Sequence, residues 1–519
     1  MEITIRLFDP GMNHLHRVGL AGLYMSLKHF DIVGRTFGKL KWKTGSDYIS
    51  LGCDDDVTLK SFQQFFHESF RISRDGLIDF AGHRDHPMGD IVRVFLSESV
   101  RKTYLQHNKQ NRIPGKTANR TLSIGLEDQN VLVTFKPFIK PYAHADGYNL
   151  LLTKTGKLKV TEKIKNWLYP GAAERHSGID GTEIEETPER ILCLLFAPMA
   201  TLYYRVSHRG LDGKRDKRKS TAILLPHIVD LKKFHRCFTR YLSAPFKRLS
   251  ADGLGDAALS ALIDLKADDD LDSLGLTGCT VLTLGTATWS KQQQSRTALQ
   301  SYEGISSKNL ELFDFVCRCL PNRVVVTSNK KKQVADGERS FFVATSLSRG
   351  LVAENIATNK DWFLGFHSLM QSQQLAKIIS FERGGLNTMV ESIPWPNETD
   401  KQFVEAVHDA IRSRYGALAS RAKESGETIR FDREYERMRT GLMRAKNSET
   451  LRAELSDFFA RGGSNKTLRQ HWKDLLPLFS GADWQRARDL ALFALASYAG
   501  KGVEQIEAQV TNAENEEEA

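Results

Sequence analysis

The 519-residue sequence predicts an α+β fold: a mixed α/β body over residues 1–390 with several β-hairpins, an all-helical bundle over 391–510, and an acidic disordered tail over 511–519. Three observations carry this prediction. Apolar and polar residues alternate in period two at intervals through the first part of the chain, as half-buried strands require. After about residue 395 that alternation gives way to helical periodicity. Between the two regimes lies ESIPWPNET, whose prolines interrupt regular structure.

The elements follow in order. EITIRLF, Glu2 to Phe8, alternates as a strand. Leu15 to His29 reads as a helix with Val18, Leu20, Leu23, Leu27 and Phe30 on its core stripe. Gly19 and Gly22 lie inside it. Glycine is costly mid-helix, so they imply close packing against another backbone. Lys39 to Leu51 reads as a hairpin around Thr-Gly-Ser, and Leu59 to Phe70 as an amphipathic helix whose phenylalanines fall at core spacing. Residues 131–139 and 149–160 are strand-like, 171–189 a polar surface loop, and 190–206 an apolar run. TAILL near 223 and CTVLTLGTATW at 279–289 are strand-like and bracket an acidic patch at Asp268 to Asp272. RVVVTS at 323–328 and FFVATS at 341–346 pair as a hairpin. Helices are expected near 400–423, 430–446, 448–460, 465–479 and 483–499, the first N-capped by Thr399 with Gln402 as capping-box partner.

Bulk properties exclude several classes. No run of about 18 apolar residues is present, so nothing is expected to span a bilayer. MEITIRLFDPGMNHL lacks the basic-then-apolar order of a secretory signal. Six scattered cysteines are too few for a disulfide scaffold. Cys317 and Cys319 form a C-x-C with no second pair, so no metal is expected and a reducing, cytoplasmic location is. A net charge of +10 and a pI near 9.1 favour an acidic partner such as DNA or RNA.

The charge is concentrated. Ser99 to Leu126 contains no acidic residue. Lys109, Arg112, Lys116 and Arg120 alternate there with Gln106, Asn108, Gln110, Asn111 and Asn119. Lys and Arg neutralise phosphates irrespective of sequence, whereas amides can pair with base edges. A loop holding both is suited to reading nucleic acid; a merely solvated loop would mix in carboxylates. A second basic segment carries Arg209, Lys214, Arg215, Lys217, Arg218 and Lys219, and a third carries Lys330, Lys331 and Lys332. Both are expected to contact phosphates.

Catalytic constellations are weaker. His14 and His16, HRDH at 83–86 and HAD at 144–146 do not show metal-ligand spacing. His14 or His16 as general base of a metal-independent RNA endonuclease is the alternative reading. GKTANR at 115–120 has Gln110 where a phosphate loop needs glycine.

HRVGLAGLYMSL, His16 to Leu27, and NWLYPGAAERH, Asn166 to His176, resemble two signatures of the large subunits of type I CRISPR Cascade complexes, in the branch first named from myxobacteria. The order of α/β body and helical bundle matches that family. The resemblance implies a non-catalytic clamp in an RNA-guided antiviral complex, needing no cofactor. It would hold the 5′ handle of the guide CRISPR RNA, read a protospacer-adjacent motif in target double-stranded DNA and support R-loop formation. Its implied partners are the backbone and small Cascade subunits, and either a nuclease-helicase or transposition proteins. The resemblance also implies that the bundle is made separately, by initiation at Met389. Its Arg430, Arg433, Arg437, Arg439, Arg444 and Lys446 would then follow a displaced strand.

Overall fold

The computed structural model describes residues 2–54, 58–106, 108–126, 129–164, 168–169, 184–207, 220–266, 278–284, 298–328, 339–426, 431–463, 465–481 and 483–500. The chain divides into two compact units. The first takes residues 1–206, 218–307 and 324–343; the second takes 207–217, 308–323 and 344–519. Among the described residues no helix is long and apolar enough to cross a membrane.

The α/β body is organised on two helices, α1 (His14–Ile32) and α6 (Pro188–Ala200). Between them in sequence come α2 (Thr58–Ser69), α3 (Asp90–Lys102) and the single turns α4 (Asn108–Asn111) and α5 (Tyr148–Leu151). Val18, Leu20, Leu23, Leu27 and Phe30 are all buried. The glycine reading holds: a Cβ on Gly19 would overlap the carbonyl of Cys193, and one on Gly22 the carbonyl of Phe196. Pro188 sits in the first turn of α6, where its missing N–H costs nothing. The helix is apolar nearly all round, as a fully buried helix must be. Phe65, Phe66 and Phe70 meet Phe196 of α6 with ring centroids 5.7, 5.6 and 4.8 Å apart, placing the aromatic cluster in the core.

Strand β1 (Glu2–Arg6) pairs with β3 (Tyr48–Gly52), which pairs with β2 (Lys41–Thr44), all antiparallel. Four two-stranded sheets follow: β4–β5 (Phe70–Ile72, Ile78–Phe80), β6–β7 (Arg120–Leu126, Gln129–Phe135), β8–β9 (Glu162–Ile164, Ile184–Glu186) and β15–β16 (Arg323–Ser328, Arg339–Ala344). The largest sheet has the order β12-β10-β11-β13-β14. Its members are Ser250–Ala251, Leu202–Val206, Ser220–Pro226, Gly278–Leu284 and Ala298–Glu303. β10 and β12 run parallel and the other pairs antiparallel. The apolar run 190–206 is therefore helix, then strand. One expectation fails: residues 149–160 hold α5 and a single bridge, Leu152 to Leu158, instead of a strand. A turn at Thr153–Gly156, with Gly156 at φ +80°, reverses the chain too soon for a ladder to extend. Helices α7 (Leu231–Leu242) and α8 (Leu254–Leu265) complete the body.

The helical unit contains α9 (Ser307–Cys319), α10 (Leu347–Ala357), α11 (Gln373–Ser380), α12 (Arg383–Ser392), α13 (Glu398–Ser425), α14 (Phe431–Arg444), α15 (Ser448–Gly462), α16 (Lys466–Ser480) and α17 (Trp484–Ser497). It thus begins upstream of residue 391. The cap of α13 is Asn397, whose side chain accepts from Asp400 N at 2.8 Å, and not Thr399, which already lies within the helix. α17 is enclosed, and its buried Asp489 accepts from Gly365 N, His367 N and His367 Nδ1 at 2.6, 3.1 and 2.7 Å. Arg486 bridges Asp400 and Asp361. Met389 is fully buried in α12. Asp361, Gly365 and His367 all precede Met389, so a polypeptide begun there would lack them.

Candidate nucleic-acid interface

The β4–β5 turn builds one wall of a basic groove. Gly76 N donates to Ser73 O at 2.9 Å, and Ser73 Oγ accepts from Leu77 N at 3.2 Å. Gly76 adopts φ +82°, and a Cβ there would strike Pro137, so this tight turn requires glycine. Its tip exposes Arg74. Arg120 opens β6 and donates to Arg74 O at 3.0 Å, which brings the two guanidinium-bearing residues together. Phe138 N bonds Gly76 O at 2.8 Å and carries Ile139 and Lys140 to the opposite wall.

The resulting groove has a volume of about 530 Å³. His67, Arg71, Arg74, Arg120 and Lys140 line it, and no Asp or Glu does. Arg71 is neutralised by Glu68 at 2.8 Å, and His67 faces Asp146 at 3.4 Å. Arg74, Arg120 and Lys140 have no carboxylate partner among the described residues. Uncompensated cations in a concave surface focus a positive potential.

The residues singled out in the sequence divide sharply. Arg120 lines the groove. Lys109, Lys116 and Asn119 are exposed. Gln106 donates to Lys102 O, and Gln110 is half-buried. Asn111 is a correction: it is 6% exposed, its Nδ2 donates to Leu105 O at 3.3 Å and its Oδ1 accepts from Ile113 N at 2.9 Å. Its amide shapes the loop and faces no base. Arg112, at φ +53°, reaches back to Pro141 O and Asp146 Oδ2 at 3.2 and 2.5 Å, so it too anchors the loop. The side chain of Asn108 lies outside the described residues, as do Arg209, Lys214, Arg215, Lys217, Arg218, Lys219, Lys330, Lys331 and Lys332. Sequence reading missed Arg74 and Lys140. The available signal was the turn composition of SRDG, which places an arginine at a hairpin tip.

The helical unit has its own groove of about 490 Å³ between α14, α15 and Arg414 of α13. Arg433, Arg437 and Arg444 share one exposed face of α14. Glu434, Glu436, Glu454 and Asp457 are interleaved with them. Arg414 pairs with Glu434 at 2.8 Å and Arg461 with Asp457 at 2.5 Å. Arg439 departs from the expected strand-following face: it is buried, donates to Met370 O at 2.6 Å and pairs with Glu436 at 2.8 Å. Arg430 lies outside the described residues, and Lys446 lies beyond the end of α14.

The two family-like segments meet inside the body. His16 is 1% exposed; its Nδ1 accepts from Asn13 N at 3.2 Å in a capping box. Its Nε2 faces Tyr169 Oη at 3.4 Å and Glu186 Oε1 at 3.7 Å. Tyr169 donates to Glu186 at 2.8 Å, and Arg190 closes the network on the same carboxylate. Burial lowers the His16 pKa to about 4, so the ring is neutral. This histidine is enclosed and already bonded, which removes it as a general base for RNA. Among the described residues no group of three or more His, Cys, Asp or Glu is placed to hold a metal ion.

Comparison with known proteins agrees with this architecture. The family description DevT N-terminal domain matches residues 4–195, which include both segments that meet at His16 and Tyr169. The description DevT C-terminal domain matches residues 391–519. The chain is 28% identical to the CRISPR-associated protein Cas8a1/Csx13 of Myxococcus xanthus (strain DK1622), over 97% of this chain and 90% of that protein.

Proposed function

Since the chain belongs, through both of its DevT domains, to the large subunits of type I CRISPR systems, we propose that it reads a short protospacer-adjacent motif in duplex DNA. On this reading it also holds the 5′ handle of the guide RNA and supports R-loop formation. The observation that carries the proposal is the body groove with three uncompensated cations and no lining carboxylate. Arg74, Arg120 and Lys140 supply phosphate contacts, which fix register without reading sequence. Exposed Asn119, immediately before Arg120, is the amide available for base-edge pairing. Sequence is otherwise read by guide–target pairing, leaving the protein to recognise a motif and a backbone. The net charge of +10 supports the same assignment.

The test is a binding competition with the assembled guide-bound complex. Target duplexes with and without the candidate motif are titrated against wild type and the Arg74→Gln, Arg120→Gln, Lys140→Gln triple variant. The proposal expects the triple variant to lose affinity for all duplexes and Asn119→Ala to lose discrimination between motifs. Unchanged binding by the triple variant at low salt would remove this groove from the interface.

A further inference from the structure

Two histidines from distant parts of the chain lie face to face in the α/β body. His14 opens α1, and His227 follows β11. Their ring centroids are 3.8 Å apart and their planes 12° from parallel. Arg17, one turn along α1, acts electrostatically on both rings. His227 is nine-tenths buried, and its Nε2 meets Thr280 Oγ1 of β13 at 3.2 Å. His14 Nδ1 and Arg17 Nε are closed off from solvent and have no hydrogen-bond partner among the described residues. One carboxylate, the exposed Glu303 of β14, faces His14, and it forms no ion pair with these groups among the described residues. The Arg17 guanidinium lies 4.8 Å over the ring of Phe8, an aromatic left 57% exposed.

The arrangement is unsatisfied as it stands. Three groups that carry or accept positive charge converge where water is partly removed, and buried donors without acceptors are costly. Burial and the neighbouring Arg17 keep both rings neutral at neutral pH, with His227 lowered to about 4. An oxyanion would supply the missing acceptors, balance Arg17 and favour an imidazolium. A carboxylate could do so too, but the exposed Phe8 face beside Arg17 suits a planar base attached to a phosphate.

We infer that His14, Arg17 and His227 form a phosphate-binding site for a nucleic-acid backbone, with the adjoining base stacked on Phe8. Binding is coupled to uptake of one proton by the histidine pair; a second proton is opposed by repulsion between rings 3.8 Å apart. The sign follows from linkage. The anion raises the pair's pKa above its free value, so affinity rises as pH falls below the bound value and levels off below the free one. Glu303 and Arg17 shift that window in opposite directions. Only the polymer part of this inference rests on the nucleic-acid reading above; the oxyanion part stands without it.

The test is calorimetry on the full-length chain at about pH 6 and about pH 8, in two buffers of different ionisation enthalpy, to count protons. The probes are inorganic sulfate, whose charge is constant over this range, and an unstructured RNA octamer. Both should bind more tightly at the lower pH with uptake of about one proton, and Arg17→Gln or His227→Gln should lose about tenfold in affinity there. His14→Gln, at a half-exposed position, serves if His227→Gln lowers the melting temperature. The Arg74→Gln, Arg120→Gln, Lys140→Gln variant should keep the proton uptake, which separates this site from the groove. Sulfate binding without octamer binding would overturn the nucleic-acid assignment. Equal affinity in wild type and all three single variants, or no proton uptake, would overturn the site itself.

Discussion

The two grooves are alike in size, yet they differ in the carboxylates that line them. The body groove has no lining carboxylate and three cations without one. The helical-unit groove has five arginines and four carboxylates; Arg414 and Arg461 are paired at 2.8 and 2.5 Å, while Arg433, Arg437 and Arg444 lie among the carboxylates without an ion pair among the described residues. Counting basic residues would favour the second; setting each groove's cations against the carboxylates that line it favours the first. A carboxylate beside a cation repels an incoming phosphate and offsets much of that cation's attraction. Residual charge, not basic content, is therefore the better guide to a nucleic-acid surface in this chain.

That contrast can be broken at its strongest point through Arg439. If the helical-unit cations are structural, Arg439→Ala strands Glu436 and frees the Met370 carbonyl, costing on the order of 3 kcal/mol of stability. Denaturant unfolding measures this, and wild-type stability would show that the buried arginine is dispensable. Next in size is the body-groove triple variant, Arg74→Gln, Arg120→Gln, Lys140→Gln. It should weaken nucleic-acid binding on the order of a hundredfold, and the slope of log affinity against log salt should shrink by about 2 to 3. A loss of affinity without a change in slope would mean that these residues do not meet phosphates.

The loop at 106–120 sharpens the contrast further. Asn111→Ala should cost about 1–2 kcal/mol in stability, because two internal hydrogen bonds go, and should leave motif discrimination intact when corrected for folded fraction. The smallest effect expected is from Arg433→Gln, Arg437→Gln, Arg444→Gln. With carboxylates interleaved, binding of single-stranded DNA should fall only about threefold at moderate salt. A fall as large as that of the body triple would erase the distinction between the two grooves.

Much of the fold was legible because its cues are local. The period-two runs gave β1, the β2–β3 hairpin and β15–β16, and the helical periodicity after 395 gave α13 to α17 within a few residues. Gly19 and Gly22 announced a backbone contact, although only the structure names α6 as the partner. The upstream part of the helical unit was not legible. Its helices α10 to α12 are short, and Gly384-Gly385 in α12 reads as a turn. The site was legible in its chemistry and less so in its members. An acid-free loop drew attention to 106–120, but sequence cannot distinguish an amide turned outward from one bonded to its own backbone, as Asn111 is. Arg74 and Lys140 escaped because each is isolated in sequence and joins the others only through the turn at Gly76. His227 escaped for the same reason, lying 213 residues from His14, the difference of their positions.

The seam between α1 and α6 has a mechanical consequence. Where side chains separate two helices, rotamer changes absorb small displacements; where carbonyl meets Cα hydrogen, nothing soft intervenes. At Gly19 and Gly22 the helices touch in this way on successive turns. A push on α6 is therefore delivered to α1 undamped, and the pair moves as one strut. At the end of that strut stand His14 and Arg17. A load applied to Glu186, just before α6, or to Arg190 in its first turn would be felt there as a change of position rather than of conformation.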